Sequence, residues 1–204
     1  MIGILNYGLG NIRSFYNLYK TLDIQSKFIS SSNELIDVKI LILPGVGSFD
    51  YAMEKFNNSG LRDQVENMVL NDKIPLLGVC VGMQMLAKSS DEGTNKGLGW
   101  IDANVSRFDL SVIKDNLRLP HMGWNTINIE REEPLFKNLN NQSRFYFLHS
   151  YYFKCNIIEE SITKTNYGSN FTSSIRSDNI YGVQFHPEKS HDNGIKLLYN
   201  FSNI

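Results

Sequence analysis

Cysteine is scarce in this chain, which has only Cys80 and Cys155. Two cysteines are too few for a disulfide framework, and they lack the CxxC spacing of a redox or zinc site. Charge bias is missing as well. The formal net charge is −1 and no basic run occurs, so there is no electrostatic footprint for nucleic acid or an anionic membrane surface. Long apolar runs are also lacking: the most apolar stretch, around Cys80, is about half the length needed to span a bilayer. The opening MIGILNYGLGN has no basic segment and meets Asn6 early, so it does not read as a signal peptide. No repeat, linker or low-complexity tract is visible, and the four histidines and two cysteines show no metal-ligand spacing. These absences predict a reduced, cytoplasmic protein without a metal. Residues 1–204 are long enough to bury one substantial core and read as one α/β domain.

What is present is alternation. IGILN (2–6) is a short apolar run ending in the turn composition YGLGN, and Ile12, Phe15, Tyr16 and Tyr19 follow at helical spacing. QSKFIS is a weaker strand, and VKILILPGVG a buried one stopped by Pro44 and Gly45. Residues 48–70 are helical in composition, with Gly60 as a break between two helices. LLGVC is a third buried strand, and GMQMLAKSS resumes helical character. Uniformly apolar strands alternating with helices predict a mostly parallel sheet covered on both faces. The later half, with WIDANVSRF, GWNTINIE, RFYFLHSYYF and YGVQFH, predicts an added antiparallel region. A last helix should return Ile195, Leu197, Leu198 and Phe201 to the core.

Gly78-Val79-Cys80-Val81-Gly82 has the form G-x-C-x-G at a strand-to-helix junction. The analogous G-x-S-x-G elbow holds its nucleophile on a strained turn whose flanking glycines relieve crowding. A helix N-terminus after it favours an anion and so a thiolate. Alone, a cysteine in an apolar stretch is more often inert core. A cysteine nucleophile also needs a base and an orienter. His186, in YGVQFHPEKS, ends an apolar strand with Glu188 two residues on, placed to hold the imidazole tautomer that leaves a nitrogen free for Cys80. His149 in FLHSYY reads equally as a strand histidine bonded to backbone, His121 lies in a loop-like stretch, and His191 at a helix start. LPGVG, at another strand end, would present amides from Gly45 and Gly47 to an oxyanion, with Val81 supplying a second donor. Gly8-Leu9-Gly10 lacks the third glycine of a dinucleotide fingerprint.

PGxG, GxCxGxQ and HPE, in this order over nearly the whole chain, resemble the class I (triad) glutamine amidotransferases with their flavodoxin-like fold. NYGLGNIRS, PGVGSF, KGLGW, LPHMGWN and FLHSYYF are more narrowly similar to the glutaminase subunits of imidazole glycerol phosphate synthases. The resemblance implies Cys80 as nucleophile, His186 as general base and acid, and Glu188 as orienting carboxylate. It implies glutamine binding by Gly47, Gln84, Glu92, Ser150 and Tyr151, and an oxyanion hole from Gly45, Val46, Gly47 and Val81. It further implies ammonia passed to a (β/α)8 cyclase subunit of histidine biosynthesis, no cofactor, and a partner face at His121, Met122, Trp124, Asn125 and Lys189. Activity held back until the partner is loaded would follow if the PGVG peptide must turn first. Asn6 stands where many relatives have Asp, and Val81 where Leu is common; neither removes a catalytic group. Three alternatives stay open: a paralogue feeding a surface-sugar amidating enzyme, a stand-alone cysteine hydrolase, and a non-catalytic binding subunit.

Overall fold

The computed structural model describes residues 1–109, 111 and 117–204. Three apolar runs and one half-buried run form the first part of a parallel sheet. β1 (Ile2–Leu5), β2 (Ser26–Ile29), β3 (Ile40–Gly45) and β4 (Leu76–Cys80) lie in the order β2-β1-β3-β4. Every residue of β1 and β4 is buried, as continuous apolar strands covered on both faces should be. The helices between them are α1 (Ile12–Thr21), α2 (Phe49–Asn57) and α3 (Arg62–Leu70). The steps β1→β2 and β3→β4 run in opposite directions along the sheet. Right-handed crossovers therefore place α1 on one face and α2 with α3 on the other. Phe49, Ala52, Met53 and Phe56 of α2 are fully buried at helical spacing. Gly60, at φ 72°, makes the break that a side chain would resist.

The chain after Cys80 departs from the expected helix. α4 is a single turn, Val81–Gln84. Segment 97–101 then takes the carbonyls that a longer helix would have used. Leu98 N–H donates to Met85 O, Ile101 N–H to Leu86 O and Gly99 N–H to Ala87 O, at 2.8, 3.1 and 3.0 Å. The backbone is drawn into β5 (Ser89–Ser90) beside β6 (Ala103–Arg107).

The antiparallel half comprises β7 (His121–Thr126), β8 (Asn128–Ile129), β9 (Arg144–His149), β10 (Tyr151–Cys155), β11 (Ser161–Tyr167) and β12 (Ser169–Ser177). β13 (Ile180–Val183) then inserts parallel to β4 and antiparallel to β12, joining the two halves into one sheet. β7 and β9 form a separate antiparallel pair, tied to the main body where His186 N–H donates to Tyr146 O at 2.8 Å. α5 (His191–Phe201) closes on α1, with the Tyr19 hydroxyl donating to Leu198 O at 3.2 Å. Leu197, Leu198 and Phe201 are fully buried as expected, but Ile195 is 37% exposed and faces out. No helix of the described residues is long and apolar enough to cross a membrane.

Candidate active site

Register brings three strand ends together. Gly45 of β3 pairs with Cys80 of β4, and Val183 of β13 pairs with Val79. Gly45, Cys80 and Gln184 therefore stand side by side at the carboxyl edge, where open α/β sheets bind ligands. Cys80 sits at φ 55°, ψ −113°, a region that non-glycine residues avoid, so the elbow is strained. A Cβ on Gly82 would lie 1.9 Å from Leu43 O, and one on Gly78 2.8 Å from Gly82 O. The glycines on either side of the cysteine are thus required by backbone contact.

His186 and Glu188 lie in the turn beyond β13. The Ser190 hydroxyl pins this turn, donating to His186 O at 2.6 Å and accepting Tyr146 N–H at 3.0 Å. His186 Nδ1–H donates to Glu188 Oε1 at 2.9 Å, with both side chains almost wholly buried. Burial opposes a charge on His186. The charge of Cys80 and a hydrogen bond with it, joined by the bond and charge of Glu188, outweigh burial and push His186 up to about 10. The histidine is thereby disposed as an imidazolium beside Cys80.

A cavity of about 260 Å³ opens over Cys80, lined by Val46, Gly47, Val81, Glu92, Pro120, Leu148, His149, Ser150, Tyr151, His186 and Lys189. It gathers the four other expected glutamine-binding residues, Gly47, Glu92, Ser150 and Tyr151, but not Gln84. Gln84 is buried beneath, its amide donating to Tyr151 O at 3.1 Å and Gln184 Oε1 at 2.9 Å. Glu92 accepts Phe49 N–H at 2.8 Å. Burial raises its carboxyl against that bond, and the Asp50 charge adds to the rise. Val46 is 37% exposed and Gly47 has φ +87°, so the 45–47 segment turns out of β3 into the cavity wall. The Tyr7 hydroxyl braces it from behind, donating to Pro44 O at 2.6 Å.

The expected partner-face residues divide. Met122 and Trp124 are exposed, Lys189 is at the cavity rim, and Asn125 is half-buried. His121 is 3% exposed and cannot belong to an open face. It is not in a loop either, because it opens β7 opposite His149, and pairing between residues so distant in the chain leaves no local trace.

The class I glutamine amidotransferase family model matches residues 4–203. This chain belongs to that family. The amidotransferase is similar to "Imidazole glycerol phosphate synthase subunit HisH" of Leptospira borgpetersenii, at 48% identity with all of both chains covered. It is 50% identical to the HisH subunit of Bdellovibrio bacteriovorus, again over all of both chains. Among solved structures a glutamine amidotransferase superposes with a TM-score of 0.76, covering 100% of this chain and 99% of that one. At 21% identity that likeness speaks for the fold alone.

One group beside the nucleophile candidate of the amidotransferase escaped the motif reading. Gln184, fully buried, donates from Nε2 to Cys80 Sγ at 3.8 Å, its amide oriented by Gln84. Its signal was its place two residues before His186, on the side of the strand that Cys80 shares. His149 lines the cavity with its Nδ1 bonded to Tyr151 O, which is the reading of a strand histidine bonded to backbone.

The His186 shift fixes a titration result. A folded value above the ordinary 6.5 adds stability that is complete below about pH 6.5 and is lost as pH rises through about 10. Ring-proton NMR should find His186 still an imidazolium at pH 8. In Cys80→Ala, with both Cys80 contributions gone, it should titrate well below the wild type. A wild-type midpoint near 6.5 would contradict the ion pair.

Proposed function

We propose that residues 1–204 form one cytoplasmic glutaminase domain, the glutamine-hydrolysing subunit of an imidazole glycerol phosphate synthase, in which Cys80, His186 and Glu188 are the catalytic triad. Convergence of a strained, glycine-flanked cysteine with a carboxylate-held histidine in one small cavity carries the chemistry. The HisH relatives, matched over their full length, support the choice of partner.

In this mechanism the Cys80 thiolate attacks the side-chain amide carbon of glutamine. Negative charge moves to the carbonyl oxygen and is met by backbone N–H groups of the 45–47 segment and Val81. The C–N bond breaks as His186 Nε2–H protonates the leaving nitrogen, releasing ammonia and leaving a glutamyl thioester. His186, now neutral, takes a proton from water, whose oxygen attacks the thioester. The C–S bond breaks, glutamate departs and the ion pair is restored. Glu188 keeps Nδ1 protonated throughout, so that Nε2 does the transfer.

Ammonia would pass to a (β/α)8 cyclase subunit seated over the cavity. Met122 pairs across the β7–β9 ladder with Leu148, and both side chains are exposed; Trp124 lies one step along the same face. Leu148 belongs to this apolar face and to the cavity wall alike, and the exposed Val46 lines the same wall. An apolar patch around the mouth suits a partner that excludes water there.

The test is glutamate release by the chain alone and with the cyclase subunit of the same organism, with and without that subunit's nucleotide substrate. Stimulation of at least about tenfold, absent in Cys80→Ala, is expected. No complex and no stimulation, from folded chains, would redirect the search to an enzyme that amidates a surface sugar.

A further inference from the structure

The bonds of His121 have an unambiguous direction. Tyr151 O can only accept, so the 2.7 Å contact makes His149 Nδ1 the proton-bearing nitrogen. Burial pulls His149 down to about 3, against its bond to Tyr151 and helped by the charges of His121 and His186, so the ring is neutral and its Nε2 accepts. The group 3.0 Å away, His121 Nδ1, must then donate. His121 is itself held near 4 by burial, which leaves its Nε2 bare. That nitrogen accepts Asn125 Nδ2–H at 3.2 Å, and the same amide donates to Asn166 O at 2.9 Å. The chain Asn125→His121→His149→Tyr151 has one polarity and no conflict. Stacking of His121 on Phe147 and Tyr167, with centroids at 4.8 and 4.1 Å, leaves its ring little freedom to turn.

What the chain ends on is the cavity wall. Tyr151 O receives His149 from one side and the Gln84 amide from the other, while Ser150 O accepts Phe108 N–H at 3.3 Å. The three consecutive wall residues His149, Ser150 and Tyr151 are therefore clamped at both carbonyls.

We infer that His121 is a positioning residue: acting through His149, it holds the Ser150–Tyr151 backbone in the place where a glutamine side chain or α-carbon group would lie. This rests on the glutaminase reading. The same strand then has two roles by parity, since Met122 and Trp124 face out while His121 and Asn125 face the chain.

Two readouts test it on the full chain. Long-range proton–nitrogen NMR should show His121 and His149 as neutral rings protonated at Nδ1; a charged ring or the other tautomer at pH 7 overturns the inference. Cys80 labelling should be compared for a glutamine-shaped diazoketone and for iodoacetamide, which needs no glutamine site. In His121→Phe the half-saturating diazoketone concentration should rise about tenfold, with the plateau rate and iodoacetamide rate unchanged. His121→Asn, which keeps a donor at the same distance along the side chain, should stay within about threefold of wild type. If His121→Phe does not fold, Asn125→Ala replaces it, with a rise of about threefold expected and no rise overturning the inference. Wild-type labelling by the diazoketone with no change in His121→Phe sinks the inference alone. Equal slowing of both reagents also overturns it, as general damage. A wild type that takes iodoacetamide and never the diazoketone overturns the glutaminase reading and this inference with it.

Discussion

Cys80→Ala should lower glutamine hydrolysis by at least about 10⁴-fold, with the fold intact. The size of the loss follows from what remains. Without sulfur no thioester forms, and water would have to attack the amide directly with only the 45–47 and Val81 amides to help. Removing a nucleophile also removes most of what its base contributes, because the two act as a unit. His186→Asn should therefore cost a similar factor, and the double variant little more than either single one. Stability should change modestly. Cys80 is 4% exposed and loses one sulfur atom's packing, while the φ of 55° stays as unfavourable for alanine as for cysteine. About 1 kcal/mol, or roughly 2–4 °C in melting temperature, is the expected scale. Circular dichroism and glutamate release on the same preparation check both halves. Residual glutaminase activity within tenfold of wild type would remove Cys80 from the mechanism.

The parallel half of the fold was legible because its signals are local. Burial that is unbroken in β1 and β4, and lapses only at Ile40 in β3, wrote these strands as apolar runs, and the Gly60 break separated α2 from α3. What escaped is set by partners far along the chain. The helix expected through residues 82–90 stops at Gln84 because residues 97–101 claim its carbonyls. His121 read as loop because its strand exists only by pairing with β9, and as surface because nothing nearby reveals the Phe147 and Tyr167 rings around it. Gln84 carried a family motif yet spends its amide on Tyr151 and Gln184 below the cavity. At the site, the proposed triad of Cys80, His186 and Glu188 was legible only as motif chemistry. The support behind them was not, since Gln184 and His149 look like ordinary strand residues until β4, β9 and β13 converge.

Gly82→Ala should be among the most damaging single methyls, destabilising by about 3 kcal/mol or more, or roughly 6–12 °C. The new carbon would sit 1.9 Å from Leu43 O and 2.9 Å from Leu43 C, both backbone atoms of β3 that no rotamer change can move. Gly45 faces the same contact from the other side, where a Cβ would meet Gly82 N at 2.3 Å. The elbow and the end of β3 are thus packed backbone to backbone, which is why the 45–47 segment stands next to Cys80 at all. Relief by pulling α4 away from β3 would open that spacing, so glutaminase activity should fall by at least about 100-fold even in molecules that remain folded. Gly47→Ala separates this cause from the other reason for a glycine. At Gly47 a Cβ meets nothing within 4 Å and only the φ of +87° resists a side chain, so the cost should be about 1–2 kcal/mol. Thermal melts of the two variants decide the matter. Equal losses would mean that conformation, and not the close approach of β3, is what the glycine after the nucleophile supplies.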